Sequence, residues 1–254
     1  MPKITTLLLD CDNTLVLSED LAFEGCAQVL NEMAAAKSLP LERPFTGPSL
    51  IAEYLGHNFR GMLTLLQARY GFTLTPEEVE AYVRREEDAV IARLEAELAP
   101  CPGADAALAR LAATGRYGLA VVSSSALRRV RASVGRAGIG HHFVNATGRG
   151  EEHAIFSAAT SLPAPTSKPD PAIYLHALQR LGKTAGECVA VEDSRSGALS
   201  ATRAGIKVVG YVGSYPPEKR ELMAQALREG GAAVVMEDWE RFEEYLEQIE
   251  AGEA

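Results

Sequence analysis

The sequence predicts an α/β protein whose core is a doubly wound parallel sheet, with a second, helical domain inserted into that core. Short apolar runs that do not alternate with polar residues are separated by segments of helical length, which is typical of parallel strands covered on both faces. One long segment near the N-terminus contains helical patterns and no convincing strand. Because 254 residues exceed the commonest size of a single domain, we expect two domains.

Five apolar runs are predicted as strands of the sheet. They cover residues 4–9, 119–122, 188–191, 208–212 and 232–235. Strands that alternate with helices in this way build a doubly wound sheet. Ligands of such sheets bind just beyond the carboxyl ends of the strands, so functional side chains are expected directly after these runs.

The helical domain is predicted to span residues 16–99, between the first and second strands, while residues 1–15 and 100–254 form the α/β domain. Its clearest helix is predicted to begin after Thr75, because Glu78 can complete a capping box with that threonine. Apolar residues then recur at helical spacing as a stripe that we expect to be buried, namely Val79, Val83, Val90, Leu94 and Leu98.

Composition narrows the possible partners and the compartment. The chain has 25 basic and 34 acidic residues, a net charge of −9 that disfavours binding to nucleic acid or to an anionic membrane surface. The densest basic cluster is interpreted as the solvated face of a helix and comprises Arg128, Arg129, Arg131 and Arg136. The four cysteines lack metal-site or disulfide-framework spacing, and the N-terminal apolar run is too short for a signal peptide or a membrane span. We therefore expect a cytoplasmic protein.

The first predicted strand leads into Asp10, and Asp12 follows two residues later. Side chains alternate along an extended chain, so the two carboxylates are expected to point the same way. Such a pair repels itself unless a cation or a proton neutralises it, which indicates a divalent metal or acid/base chemistry. The alternative is a solvated turn formed by Asp12 and Asn13, and the pair alone does not separate the two interpretations.

Hydroxyl groups follow the second predicted strand, and acids follow the third. Ser123 and Ser124 lie where a helix is expected to begin, an arrangement that either binds phosphate or caps the helix. Glu192 and Asp193 can complete an oxygen cage for magnesium, or Asp193 can cap the next helix. Lys168 by itself indicates only a solvated side chain. Acids, hydroxyls and acids at three successive strand ends favour one shared site over chance.

These residues match the motifs of a known family. The chain resembles the haloacid dehalogenase-like phosphatases, in the group that contains phosphoglycolate phosphatase and β-phosphoglucomutase. Four motifs in the family's order carry the resemblance over nearly the whole chain, and they are residues 10–15 (DCDNTL), Ser123, residues 168–171 (KPDP) and residues 192–197 (EDSRSG). The resemblance implies a Rossmann-like core and makes the helical insert a small α-helical cap domain.

The resemblance also implies the chemistry. Asp10 would attack phosphorus, while Asp12 would protonate the leaving oxygen and then deprotonate the water that hydrolyses the aspartyl-phosphate. Mg²⁺ would be held by Asp10, the backbone carbonyl of Asp12 and Asp193, with Glu192 acting through water. A carboxylate nucleophile divides one difficult displacement into two easier ones, in agreement with these roles.

Phosphate recognition follows from the same resemblance. Ser123, the backbone N–H of Ser124 and Lys168 would neutralise the three equatorial oxygens of the phosphoryl group. The expected activity is Mg²⁺-dependent hydrolysis of a small phosphorylated metabolite, such as a sugar phosphate, a polyol phosphate or phosphoglycolate. Two positions depart from the family's pattern without removing a catalytic group, since Asn13 replaces a usual glycine and Leu17 replaces a frequent aspartate.

The main alternative is a sugar phosphomutase of the β-phosphoglucomutase type. That mutase has a cap histidine ten residues after the position of Asp12, where this chain has Ala22. A true dehalogenase needs no metal and usually lacks the second aspartate. A non-catalytic binding module would be favoured only by a missing motif residue, and none is missing.

The spacer before Lys168 and the residues of the cap lead to less specific expectations. The spacer between Ser123 and Lys168 is long for the group, so residues 145–167 are interpreted as a loop inserted near the site. Specificity in the group comes from the cap, where the candidate substrate contacts are Arg43, His57, Asn58 and Arg60. We expect a monomer or a weak homodimer.

Overall fold

The computed structural model describes residues 3–54, 57–144 and 154–252. The chain divides into two compact units, one formed by Met1–Leu17 with Ala99–Ala254 and the other by Ser18–Leu98. The first unit contains the sheet, and the second is helical. Among the described residues, no helix has both the length and the apolar character needed to cross a bilayer.

The sheet of the first unit has six described strands, all parallel. They are β1 (Thr6–Leu9), β2 (Gly118–Ser123), β3 (Ile155–Ser157), β4 (Cys188–Glu192), β5 (Lys207–Tyr211) and β6 (Ala232–Met236). Their order is β3-β2-β1-β4-β5-β6, so the direction of winding reverses between β1 and β4. The predicted doubly wound α/β class is confirmed, and this reversal is where such sheets bind ligands.

Burial on both faces explains why the strands show no alternation. Leu7, Leu8 and Leu9 of β1 are completely buried, and so are the three valine and alanine residues opposite them on β4. A strand that is covered by helices on both sides excludes polar residues from both sides. The apolar runs of the buried strands are therefore a direct consequence of this layered packing, whereas β6, at the edge of the sheet, is mostly half-buried.

Strand β3 corrects the interpretation of residues 145–167 as a loop. Residues 145–153 lie outside the described part of the chain, but Ile155–Ser157 pairs with β2, with Ile155 opposite Val121 and Ser157 opposite Ser123. Three residues are too few to show a periodic pattern. The partner that makes them a strand is β2, which is distant in sequence.

The helical unit consists of four described helices. They are α1 (Glu19–Ala36), α2 (Gly47–Tyr54), α3 (Phe59–Tyr70) and α4 (Pro76–Glu97). Helix α4 begins with the predicted capping box, in which Thr75 Oγ1 accepts from the N–H of Glu78 (3.2 Å) and Glu78 Oε2 accepts from the N–H of Thr75 (2.9 Å). Gly25 lets α1 approach α4 closely, because a Cβ at that position would lie 2.7 Å from Cγ2 of Val90.

The predicted stripe of α4 is buried mainly toward its C-terminal half. Val90, Leu94 and Leu98 are buried, whereas Val79 and Val83 are half-buried and pack against the edge of the helical core. The prediction was therefore correct for the second half of the helix. The first two positions pack less completely because they lie at the edge of the apolar cluster.

Six further described helices accompany the sheet. They are α5 (Ala104–Ala113), α6 (Leu127–Arg136), α7 (Ala172–Leu181), α8 (Arg195–Arg203), α9 (Pro217–Glu229) and α10 (Phe242–Ala251). Helices α6 and α8 begin shortly after the carboxyl ends of β2 and β4. Their N-terminal turns therefore lie beside the candidate site residues.

Candidate active site

Asp10 lies at the point where the winding of the sheet reverses. It directly follows β1, and its backbone N–H donates to the carbonyl of Val191 on β4 (3.0 Å). This bond continues the β1–β4 pairing by one residue, so the backbone of Asp10 is held by the sheet itself. Its side chain is buried, with 9% of its surface exposed.

Two more acids lie at the carboxyl end of β4, beside Asp10: Glu192 is its last residue and Asp193 follows it. Oxygen atoms of Asp10, Glu192 and Asp193 all lie within 4.8 Å of one another, and all three residues are buried. Three carboxylates at this spacing form an oxygen-only donor set of the kind that hard divalent cations prefer. Oε2 of Glu192 is buried and has no hydrogen-bond partner among the described residues. These residues therefore fit a divalent cation.

Lys168 provides the positive charge inside this acidic cluster. Its Nζ lies 2.6 Å from Oδ1 of Asp10, 2.6 Å from Oε1 of Glu192 and 2.8 Å from the carbonyl oxygen of Val122. The three donors of the ammonium group are thus engaged by three acceptors, two of them charged. The side chain is 5% exposed, so water screens these ion pairs little.

Burial shifts the protonation equilibria of these groups. Desolvation raises the pKa of Glu192 to about 7, although the Lys168 ammonium opposes the shift. Desolvation likewise raises the pKa of Asp10 against the attraction of Lys168. Burial would lower the pKa of Lys168, but the two carboxylates raise it above its ordinary value. Added positive charge at this site would favour the ionised carboxylates.

Asp12 is held by two donors from the region after β2. Its Oδ2 accepts from the hydroxyl of Ser125 (2.7 Å), and its Oδ1 accepts from the guanidinium of Arg129 on α6 (3.1 Å). Asp12 is therefore not a simple solvated turn residue. The turn that follows has Asn13 at φ 56°, a left-handed conformation that asparagine tolerates and glycine adopts freely.

The contact of Arg129 corrects part of the interpretation of the basic cluster. Arg128, Arg131 and Arg136 are exposed, as a solvated helix face requires, but Arg129 is turned toward Asp12 and is only 20% exposed. The sequence could not separate these arginines, because which one faces Asp12 depends on how α6 packs against the sheet, where it contacts β3.

The serine segment after β2 forms a tight loop before α6. Oγ of Ser123 accepts from the N–H of Ser125 (3.0 Å), and Oγ of Ser124 accepts from the N–H of Lys168 (3.1 Å). The N-cap residue of α6 is Ala126. Helix capping by Ser123 or Ser124, the alternative to phosphate binding, was therefore wrong. Ser124 instead connects the loop to the segment that positions Lys168.

Residues around β3 support this loop. The hydroxyl of Ser157 donates to the carbonyl of Ser125 (2.7 Å), and the hydroxyl of Thr160 donates to Oγ of Ser157 (2.8 Å). Oγ1 of Thr160 in turn accepts from the N–H of Leu127 at the start of α6 (3.1 Å). The segment interpreted as an inserted loop therefore contributes hydrogen bonds that hold the serine loop in place.

The start of α8 bears on the alternative role of Asp193 as a helix cap. Its N-cap is Ser194, whose hydroxyl oxygen accepts from the N–H of Gly197 (3.1 Å), so capping by Asp193 was wrong. Oδ2 of Asp193 instead accepts from the hydroxyl of Tyr215 (2.7 Å). Asp193 is thereby available to the acidic cluster rather than to the helix.

Several contacts of the site were not predicted. The hydroxyl of Tyr174 on α7 donates to Oε1 of Glu192, and Ser125, Arg129 and Tyr215 contact the acids as described above. Tyr174 lies six residues after Lys168, and this position on the following helix was the only sequence signal for it. Tyr215 follows β5, a strand end at which no residue was singled out from the sequence, although Ser214 and Tyr215 both carry hydroxyl groups.

The cap candidates lie in the helical unit, and two have local partners. Asn58 is the N-cap of α3, where its Oδ1 accepts from the N–H of Gly61 (2.9 Å). Arg60 forms a two-pronged ion pair with Glu80 (2.5 and 2.7 Å). Arg43 lines an open groove in the connection between α1 and α2, and His57 is exposed just before α3.

The chain is similar to known proteins over nearly its whole length. The family model described as haloacid dehalogenase-like hydrolase matches residues 4–205. The 6-phosphogluconate phosphatase of Escherichia coli strain K12 is 27% identical over 214 residues, which are 82% of each chain. A haloacid dehalogenase family hydrolase from Deinococcus radiodurans R1, solved with bound phosphate and sodium, is 26% identical, with a TM-score of 0.64 over 95% of this chain and 94% of that one.

A third relative extends the structural likeness. CbbY from Rhodobacter sphaeroides, solved in complex with xylulose-(1,5)bisphosphate, has a TM-score of 0.67 over 93% of this chain and 95% of that one. At 22% identity, this structural likeness shows the fold alone. Since the family model spans most of the chain and includes the motifs that converge beyond β1 and β4, this protein belongs to the haloacid dehalogenase-like hydrolase family.

Proposed function

We propose that this protein is a Mg²⁺-dependent phosphatase that hydrolyses a small phosphorylated metabolite through an aspartyl-phosphate on Asp10. One observation carries the proposal, the convergence of Asp10, Lys168, Glu192 and Asp193 where the winding of the sheet reverses. Carboxylates and a lysine in one buried cluster match the needs of phosphoryl transfer, in which positioning and charge stabilisation do most of the work.

In the first step, the carboxylate of Asp10 attacks phosphorus and the bond from phosphorus to the leaving oxygen breaks. Asp12 donates its proton to that oxygen, which leaves as an alcohol. The hydrogen bonds that Asp12 accepts from Ser125 and Arg129 hold the orientation of its carboxyl group. The pairing of Asp10 with Lys168 at 2.6 Å favours the ionised carboxylate and opposes the rise in its pKa that burial causes.

In the second step, water attacks the aspartyl-phosphate. Asp12, now ionised, accepts the proton from this water, and inorganic phosphate leaves with Asp10 regenerated. One group that donates and then recovers a proton satisfies microscopic reversibility and acts as both general acid and general base. The two steps therefore need no further proton carrier.

The phosphoryl oxygens need positive charge and N–H donors. Ser123, the backbone N–H of Ser124 and Lys168 would neutralise the three equatorial oxygens, and the hydrogen bond from the backbone N–H of Lys168 to Oγ of Ser124 keeps these groups together. Asp10, Asp193, Glu192 and the backbone carbonyl of Asp12 would hold Mg²⁺. The cation would supply positive charge that offsets the carboxylates and the dianionic phosphate.

The substrate is proposed to be a sugar phosphate, a polyol phosphate or phosphoglycolate. The helical unit 18–98 would select it as a cap domain, with Arg43 and His57 as the candidates that have no capping or ion-pair role described above. The name of the Escherichia coli relative supports a phosphorylated sugar acid.

The phosphomutase alternative lacks its cap histidine, because that position in α1 is occupied by the buried Ala22. The four cysteines are buried thiols outside any disulfide, which supports a reducing compartment, in keeping with a cytoplasmic enzyme.

The test is a screen of the purified protein against a panel of phosphorylated metabolites. Free phosphate and isomerised sugar phosphate are followed together, with Mg²⁺ and with EDTA, and Asp10→Asn is the inactive control. We expect phosphate release on at least one substrate, loss of activity in EDTA and recovery with Mg²⁺. Undiminished activity in EDTA would refute the metal dependence. Isomerised product in excess of free phosphate would identify a mutase instead.

A further inference from the structure

Two tyrosine hydroxyls contact the two adjacent acids at the carboxyl end of β4. Tyr174, on α7, donates to Oε1 of Glu192, and Tyr215, in the segment after β5, donates to Oδ2 of Asp193 (2.7 Å). The two tyrosines come from different elements and each contacts a different carboxylate. Neither lies within the four motifs.

The contact of Tyr174 determines how Glu192 is oriented. Oε1 of Glu192 accepts from both Tyr174 and Lys168, while Oε2 is buried without a hydrogen-bond partner in the described part of the chain. A Cβ at Gly197 would lie 1.8 Å from Oε2, so only glycine leaves room for this carboxylate orientation. One oxygen is therefore fixed by donors, and the other remains as an acceptor without a described ligand.

A buried oxygen such as Oε2 of Glu192 destabilises the folded protein unless a donor or a cation binds it. An unsatisfied buried polar atom costs about 1–3 kcal/mol, more when it carries charge. Tyr174 is completely buried, so its hydroxyl donates to Oε1 in the interior of the protein, where water does not compete for the bond. A tyrosine hydroxyl orients a carboxylate as a neutral donor, whereas a second lysine would repel a cation.

We propose that Tyr174 and Tyr215 are positioning residues that hold one oxygen of Glu192 and one of Asp193, and so set both carboxylates for binding a divalent cation. The inference rests on the proposed function, because it assumes that this acidic cluster holds Mg²⁺. Donors that fix the ligands of a metal usually contribute tenfold or more to its affinity, since they remove the cost of orienting the ligands at the moment of binding. Neither tyrosine is assigned a contact with substrate.

The test is calorimetric titration of Mg²⁺ into metal-free wild type, Tyr174→Phe and Tyr215→Phe. Phenylalanine keeps the ring and removes only the hydroxyl. We expect each variant to bind Mg²⁺ about tenfold more weakly than wild type. Turnover should then recover to near the wild-type value when Mg²⁺ is saturating, with the KM for substrate unchanged. A merely structural role would not produce this rescue.

Tyr211→Phe is the matched control. Tyr211, like Tyr174, is a buried tyrosine of the same unit, and its hydroxyl lies beside Cys101 rather than an acid of the cluster. Equal Mg²⁺ affinity in wild type and both test variants would overturn the positioning role while leaving the proposed phosphatase intact. Absence of Mg²⁺ binding by wild type itself would overturn the metal site of the proposed function, and with it this inference.

Discussion

Nζ of Lys168 lies 2.6 Å from Oδ1 of Asp10, although the two residues are 158 positions apart in the chain. The same ammonium group lies 2.6 Å from Oε1 of Glu192, so one buried cation is shared by two buried carboxylates. Each buried charge would be costly alone, and each is compensated only by the others. The chemistry and the stability of this site therefore depend on the same three residues.

Asp10→Asn is expected to remove activity and preserve the fold. Asparagine keeps the volume of the side chain and leaves an amide oxygen for Lys168, but it can no longer attack phosphorus. We expect turnover to fall by at least about a thousandfold, since the covalent route is lost. Steady-state release of phosphate measures this, with circular dichroism as the check on folding. The exposed Asp20→Asn is the control, and turnover of Asp10→Asn within tenfold of wild type would contradict the nucleophile assignment.

Lys168→Met is expected to reduce both activity and stability. Methionine fills a similar volume but leaves Asp10 and Glu192 buried without their cation. Removing one partner of a buried ion pair typically costs about 3–5 kcal/mol. Urea denaturation of the metal-free protein near neutral pH measures the free energy of unfolding, and phosphate release measures kcat/KM.

Lys183→Met is the control for that experiment. Lys183 is 31% exposed and contacts Thr5 (3.0 Å) and Glu187 (3.9 Å) near the surface. Partly exposed pairs of this kind contribute at most about 1 kcal/mol. If both lysine variants lost the same amount of stability, the buried charge of Lys168 would not have the role described here.

Ser157→Ala is expected to weaken phosphate binding, although Ser157 is not one of the proposed phosphate ligands. The substitution removes the hydrogen bond to the carbonyl of Ser125 and leaves the serine loop less firmly held. One such bond is worth about 1 kcal/mol, which corresponds to a roughly fivefold weaker inhibition constant for inorganic phosphate. Ser133→Ala is the matched control, because this buried serine of α6 has no hydrogen-bond partner for its hydroxyl among the described residues. Identical phosphate inhibition in the two variants would argue against support of the loop by β3.

The metal-free protein is expected to lose stability as the pH rises toward neutrality. The ordinary pKa of a glutamate is 4.5, and burial raises the pKa of Glu192 to about 7 in the folded protein. Between these values the folded protein retains a proton that the unfolded chain releases. The unfolded state then binds fewer protons, so this residue's contribution to the free energy of unfolding falls as the pH rises, and it is lost above about pH 7.

Glu192→Gln isolates that contribution. Glutamine does not titrate, so the difference in unfolding free energy between wild type and variant should change across this pH interval when EDTA is present. Urea denaturation at intervals from about pH 5 to pH 8 measures it. Mg²⁺ should flatten the difference, because the charge of a cation lowers the pKa of nearby carboxylates. Parallel curves for the two proteins in EDTA would mean that Glu192 titrates as an exposed residue does.

The sequence alone was sufficient for the parts of this protein that have a local signature. Apolar runs without alternation predicted five of the strands. Burial on both faces explains this pattern in β1, β2, β4 and β5, whereas β6 at the edge of the sheet is mostly half-buried. Thr75 and Glu78 predicted the start of α4, because a capping box is formed by residues only three apart. The acids after the first and third predicted strands indicated one site, since the carboxyl ends of parallel strands meet at one edge.

Contacts between distant segments were decided only by the tertiary structure. Strand β3 exists because β2 lies beside it, and three residues cannot signal that pairing. Arg129 could be distinguished from its neighbouring arginines only by the packing of α6, which turns it toward Asp12. Tyr174 and Tyr215 contact acids that are 18 and 22 residues away, where no periodicity applies. The sequence thus determined which groups stand at the strand ends, and packing between elements determined which donors hold them.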